Sequence, residues 1–208
     1  MDGKTKPQVI SCSVLKNELN ALAKTGALDV DLAFYSMELH SDYGVLEKNL
    51  RKKIEESQAQ AKRPIVVVTG DYCLGPEDEA KKLMDEYCIA KANALNCIDC
   101  LFGGKGQFST VDPNGERIFL SPGWIPYFYR KMKKAKGAEH EETFRNMFSG
   151  LKGIVLLDTL GDLEDYRKEI AEICSFTGLP ILETRKIGLD SLREVVLEAV
   201  NKQTKNNS

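Results

Sequence analysis

Six cysteines and two histidines are the side chains of this 208-residue sequence best suited to soft-metal or nucleophile chemistry. Four of them recur at similar places in the chain pattern. Cys12 follows a short apolar run, His40 follows a second, Cys73 lies in Thr69-Gly-Asp-Tyr-Cys-Leu-Gly75 after a third, and Cys97 lies in Asn96-Cys-Ile-Asp-Cys100 after a possible fourth. Three thiolates and an imidazole make a tetrahedral zinc set. Three thiolates can equally hold an iron–sulfur cluster with one iron left open. Soft ligands of this kind disfavour magnesium and calcium.

The elements that must position these residues alternate between strand and helix patterns. Strands are expected at Val9–Ser11, Leu32–Tyr35, Pro64–Thr69, Gly153–Leu157 and Pro180–Leu182, with a further short one near Cys88–Ala90. The Ile-Val-Val-Val stretch at 65–68 is continuous and β-branched, as a strand buried on both faces requires. Helices are expected around Val14–Leu22, Leu46–Ile54, Glu77–Tyr87, Asn93–Phe102 and Leu163–Ile173, and after the capping box Ser191-Leu-Arg-Glu194. Phe108–Val111 and Arg117–Leu120 flank Asp112-Pro-Asn-Gly115 and read as a protruding β-hairpin. The alternation predicts an α/β fold: one doubly wound, mainly parallel sheet with helices on both faces, a single domain over 8–201, and flexible ends at 1–7 and 202–208. Ligands bind at the carboxyl ends of strands in such sheets, so Cys12, His40, Cys73 and Cys97 share one rim.

Each of these residues also has a plain reading. Cysteine often serves as a small buried hydrophobe, and Cys88 and Cys174 read as core thiols. Cys97 and Cys100 form a lone Cys-x-x-Cys, weak grounds for redox chemistry. His40 can cap a helix, and His140 in Glu139-His-Glu-Glu142 reads as solvated. Gly103-Gly-Lys-Gly106 suggests an anion or cofactor loop through Gly103 and Gly104, but it lacks phosphate-loop spacing and fits equally a turn needing positive φ. Trp124 opens an aromatic stretch, Trp124-Ile-Pro-Tyr-Phe-Tyr129, followed by Arg130-Lys-Met-Lys-Lys134. That stretch is either core packing with lysines outward or a wall over a cofactor site.

Composition narrows the classes. Hydrophobic residues make up 42% and charged residues 29%, and the net charge is −2, so disorder and non-specific nucleic-acid binding are disfavoured. No apolar run approaches the ~20 residues of a membrane helix, and the amino end, Met1 to Lys6, carries no apolar leader segment, so a cytoplasmic protein is expected. In a reducing compartment six cysteines do not imply a disulfide framework.

From about Ile10 to Val200 the chain resembles the family known as domain of unknown function 1638. The resemblance rests on Ile10-Ser-Cys-Ser-Val-Leu-Lys-Asn-Glu-Leu19, on Leu39-His40 with Leu46 and Leu50, on Gly70 to Gly75 with Cys73, on Cys97-Ile98 leading to Gly103, and on Gly123-Trp124. Members occur mainly in methanogens and other anaerobes, often encoded beside corrinoid-dependent methyltransferases. The resemblance marks Cys12, His40, Cys73 and Cys97 as the functional set and implies a setting in one-carbon or methyl-transfer metabolism. Three departures stand out: Asn96 where the family usually has Asp, Tyr43 where proline is common, and Asp71-Tyr72.

Three functions are expected from these readings. In the first, Cys12, His40, Cys73 and Cys97 bind zinc or an iron–sulfur cluster, and His40, Asp71 and Asp99 orient groups or move protons. In the second, the protein is a non-catalytic accessory of a corrinoid methyltransferase system, meeting corrinoid through its partner. In the third, Cys73 or Cys97 is a metal-free nucleophile paired with His40. The expected ligand is a small molecule or the corrinoid system, not nucleic acid or membrane.

Overall fold

A computed structural model describes residues 6–137 and 141–206. His140 and part of both expected flexible ends lie outside the described residues. The first elements in chain order are β1 (Gln8–Cys12), α1 (Lys16–Lys24), β2 (Asp31–Tyr35), α2 (Tyr43–Gln60), β3 (Ile65–Val68), α3 (Glu79–Glu86), β4 (Ala90–Lys91) and α4 (Cys97–Phe102). They are followed by α5 (Gln107–Val111), β5 (Arg117–Leu120), α6 (Trp124–Ala135), α7 (Glu141–Asn146), β6 (Gly153–Asp158), α8 (Arg167–Thr177), β7 (Ile181–Lys186) and α9 (Asp190–Asn206). The α/β class expected from the alternation is present, with every strand pairing parallel.

The strands divide between two sheets rather than forming one. β2-β1-β3-β4 make a four-stranded sheet and β5-β6-β7 a three-stranded one. The chain correspondingly forms two compact units, residues 1–108 with 189–208, and residues 109–188. Alternation of patterns specifies parallel pairing but not where one sheet stops. β4 pairs with β3 over only two residues, too short to carry the sheet further.

In the first unit β1 and β3 are buried along their whole length, as the apolar run at 65–68 requires. Leu46, Leu50 and Ile54 recur at four-residue spacing and bury one face of α2, which packs on β1 and β3. α9 returns to cover β3 and β4 with Leu192, Val196 and Ala199 among its buried residues. Its helical span already includes Ser191, so the capping-box serine lies just inside the helix.

The second unit is built around β6, buried from Gly153 to Leu157. Leu120, Ile125, Ile154, Leu156, Ile173 and Phe176 join β5, α6, β6 and α8 in one core. The β-hairpin expected here does not form. Gln107–Val111 is helical, and Arg117–Leu120 pairs parallel with β6 instead. The Asp112-Pro-Asn-Gly turn is real, with the Gly115 N–H on the Asp112 carbonyl at 3.2 Å. The Asp112 side chain accepts from the N–H groups of Glu116 and Arg117, so the turn leads out of a helix and into β5.

Candidate functional site

The order β2-β1-β3-β4 places the reversal of strand order between β1 and β3, where open parallel sheets bind ligands at their carboxyl ends. Cys12 is the last residue of β1 and stands in register with Tyr35, the last of β2. Ser11 stands level with Val68, so Thr69 continues β3 at the level of Cys12. Cys73 closes a 3-10 turn, Asp71–Cys73, just beyond β3, and Cys97 is the first residue of α4 beyond β4. His40 lies in the 3-10 segment Met37–Ser41 beyond β2.

The turn bearing Cys73 is stitched to the segment before Cys97. Asp71 N–H donates to the Ala94 carbonyl (2.9 Å) and Tyr72 N–H to the Leu95 carbonyl (3.2 Å). This approach needs glycine at position 70, because a Cβ there would lie 2.3 Å from the Leu95 carbonyl oxygen. Asn96 caps α4, its side-chain oxygen accepting from the Asp99 N–H at 3.0 Å. Asparagine and aspartate cap about equally well, so the departure at 96 keeps the cap and loses only a charge. Tyr43 opens α2, a first-turn position where a proline would fit without a lost intrahelical hydrogen bond.

Cys12, Cys73 and Cys97 are all buried, and their side chains interact. Their electrostatics are coupled in sequence: His40 with Cys73, Cys73 with Cys97, and Cys97 with Cys12. They do not converge on one point. Among the described residues, no three His, Cys, Asp or Glu side chains form a ready-made metal cage.

Charge is distributed unevenly along this chain. Hydrogen bonding from Cys97, aided by His40 and Thr69 and opposed by burial, holds the Cys73 thiol down to about 4. The bond from Cys97 also lowers Cys12, against burial and with help from the charge of His40. Cys97 moves the other way, well above the usual thiol range, because its proton serves both neighbours and its site is dry. A thiol has one proton, so Cys97 can satisfy only one of the two sulfurs at a time. Burial would push the His40 imidazolium down, but the bond to Cys73 and the charges of Cys12 and Cys73 raise it to about 9. The Nδ1 of His40 lies 3.0 Å from the Met37 carbonyl, which orients the ring and leaves Nε2 for Cys73.

Two contributors carried no sequence signal of their own. The buried Tyr35 hydroxyl donates to Thr69 Oγ1 at 3.0 Å, and Thr69 helps to lower the Cys73 thiol. Burial and the three nearby sulfurs push the Tyr35 phenol well above its ordinary value, so it stays a donor. A polar residue directly after an apolar strand was the only available hint of Thr69.

The other expected site residues are occupied. Asp71 is held by Lys91 at 2.6 Å and Lys105 at 2.8 Å. Asp99 is fully buried and accepts from the N–H groups of Leu95, Gly106 and Phe108, which fastens the glycine loop. In that loop the N–H groups of Gly103 and Gly104 both point to the Asp99 carbonyl, and that of Lys105 to the Asn93 carbonyl. No row of free amides is left there to cradle a phosphate. A Cβ on Gly104 would sit 2.9 Å from the Asn93 oxygen at φ +112, so the glycine serves the turn. Trp124 opens α6 in the second unit and stacks edge-on against Tyr127 at 5.7 Å; Trp124, Phe128 and Tyr129 pack on that unit's core. Cys88, expected in the core, is exposed with φ +54, because the chain turns sharply there between α3 and β4. Cys174 is half-buried in α8. Burial pushes Cys100 up to about 12, and Cys97 bonds Cys12 and Cys73, which separates the Cys-x-x-Cys pair into two environments.

Comparison with curated proteins and with solved structures finds no match to the chain. A family model described as protein of unknown function (DUF1638) matches residues 34–196, a span that includes His40, Cys73 and Cys97 and begins after Cys12. The chain therefore belongs to the DUF1638 family.

Proposed function

We propose that Cys12, Cys73 and Cys97, with His40, bind a soft metal, either one zinc ion or an iron–sulfur cluster. The observation that carries this reading is the electrostatic coupling of three thiols and an imidazole, from β1 and the segments that follow β2, β3 and β4, at the β1/β3 reversal. Sulfurs on one edge of a zinc tetrahedron lie roughly 3.8 Å apart, given Zn–S of about 2.3 Å. Closure on such an ion would need the three sulfurs to draw together and Cys97 to lose its proton. A metal resolves the imbalance of the unloaded set, in which one Cys97 proton answers to two ionisable sulfurs.

The function that suits such a centre is activation of a substrate thiol for methyl transfer. A metal held by Cys12, Cys73 and Cys97 would keep that thiol ionised near neutral pH. Methyl transfer to that sulfur would form the new S–C bond from its lone pair, the methyl donor keeping the electron pair of the bond it loses. His40 is the fourth ligand in a closed zinc site and the proton acceptor in an open one. The methyl donor in this reading is a corrinoid carried by a partner protein, the setting the family resemblance implies.

The test is metal and labile sulfide analysis of the full chain purified without oxygen. Stoichiometric zinc, or iron with sulfide, is expected. A folded chain without metal, unable to take up either, overturns the reading. One observation favours a second reading, a metal-free nucleophile: Cys73 is held down to about 4 beside a His40 raised to about 9. In that case a substrate adduct forms on Cys73 in protein stripped of metal.

A further inference from the structure

A cleft of about 700 Å³ lies in the first unit at the carboxyl end of β4, between α3 and α9. Its volume falls in the range of small-molecule sites. Asp71, Lys91 and Lys105 stand in its lining, on the opposite end of the 3-10 turn from Cys73. One carboxylate serves two ammonium groups here: Lys91 on Oδ1 at 2.6 Å and Lys105 on Oδ2 at 2.8 Å. Lys91 spends a second donor on the Ala92 carbonyl at 2.6 Å. An ammonium carries three donors, so among the described residues these bonds leave one N–H on Lys91 and two on Lys105.

The Lys91 side chain is only 13% exposed, which makes an excess positive charge there costly unless an anion answers it. Elsewhere in the cleft Lys81 bonds Asp85 at 3.1 Å, and Asp78, Glu198 and Lys202 also line it. Two ammonium groups on one carboxylate leave the Lys91–Asp71–Lys105 bridge one positive charge in excess, with the Asp78 carboxylate acting on Lys105 from the same lining. The cleft is also lined by Asp78 (φ +61) and Cys88 (φ +54), the two non-glycine residues with positive φ among the described residues. Backbone held in that region clusters at ligand sites.

The geometry points to an oxyanion-binding site in this cleft, taking a small molecule that bears a carboxylate or a phosphate and seating that group between Lys91 and Lys105. The site stands apart from the metal reading, since none of its three anchoring residues is a proposed metal ligand. Titration calorimetry on the full chain with inorganic phosphate, and separately with succinate, tests it. Saturable binding of phosphate alone identifies a phosphate-bearing ligand, and of succinate alone a carboxylate-bearing one. Lys105→Met removes a half-exposed ammonium and should weaken binding at least tenfold. Asp71→Asn removes the competing carboxylate and should tighten it several-fold, a gain that a merely structural role for Asp71 does not produce. No saturable heat with either anion, or Lys105→Met binding as tightly as the wild type, overturns the proposal. Metal content, measured on the same samples, keeps its failure separate from failure of the metal site.

Discussion

The two units of this chain share an architecture and differ at the rim. Each is a parallel sheet flanked by helices. At the carboxyl ends of β1, β2 and β3 the first unit gathers Cys12, Tyr35, Thr69 and Cys73, where Tyr35 bonds Thr69 and the two thiols couple electrostatically to Cys97. At the corresponding ends of β5 and β6 the second unit carries Ser121, Asp158 and Thr159, followed by Trp124 and Asp162. Those are hard oxygen and N–H groups, and the Ser121 hydroxyl, the Trp124 indole N–H and one Asp162 oxygen are buried without partners. The scaffold thus leaves the chemistry open, and the side chains at the strand ends decide it.

The sharpest way to break this contrast is to remove one sulfur from each unit. Cys97→Ser keeps a hydroxyl donor between Cys12 and Cys73 but should abolish stoichiometric metal. Cys174→Ser in the second unit should leave metal content unchanged, as elemental analysis of both variants would show.

The next effect is on pH dependence in the metal-stripped chain. Cys73 falls from 9.0 to about 4 on folding, so its stabilisation is present above 9 and fades as pH drops toward 4. His40 rises from 6.5 to about 9, so its stabilisation is full below 6.5 and is lost by about 9. Between 6.5 and 9 the two trends oppose each other; below 6.5, of these two groups, only Cys73 still loses stabilisation, and the lowered Cys12 acts in the same direction as Cys73. Acidification from 6.5 toward 4 should therefore lower the urea midpoint, and His40→Gln should flatten that slope. In the same variant, alkylation of Cys73 at neutral pH should slow.

A smaller effect is expected at Gly70. Ala there meets the Leu95 carbonyl at 2.3 Å, and forcing space in a packed site costs about 1–3 kcal/mol. Because Gly70 ties the Cys73 turn to the segment before Cys97, Gly70→Ala should weaken metal binding as well as lower the denaturation midpoint. The smallest effects compare two hydroxyls. Thr69→Val strands the buried Tyr35 hydroxyl, at a cost of roughly 1–3 kcal/mol. Ser121→Ala removes a hydroxyl that already lacks a partner and should change stability by roughly nothing.

The contrast also shows what a sequence can convey. The strand at 65–68 and the helix carrying Leu46, Leu50 and Ile54 were legible because burial imposes a period on residue type. The common rim of Cys12, His40, Cys73 and Cys97 followed from parallel pairing alone. The split into two sheets was not legible, since it depends on how few residues β4 can pair. Nor was the helix at Gln107–Val111, whose β-branched residues favour a strand but whose first turn is held by the Phe108 N–H donating to Asp99. Tyr35 and Thr69 escaped notice because their bond joins positions 34 residues apart, and no local pattern records such a pair. Asp99 looked like a candidate base because a carboxylate beside a cysteine reads the same whether it faces a substrate or three backbone amides.

The most direct measurement is a cobalt(II) titration of the reduced, anaerobic full chain, followed by its thiolate-to-metal absorbance. The account predicts a charge-transfer band that saturates at one cobalt per chain and is lost in Cys12→Ser, Cys73→Ser and Cys97→Ser alike. A chain that develops no such band, or one whose band survives all three substitutions, contradicts a shared sulfur centre at the β1/β3 rim.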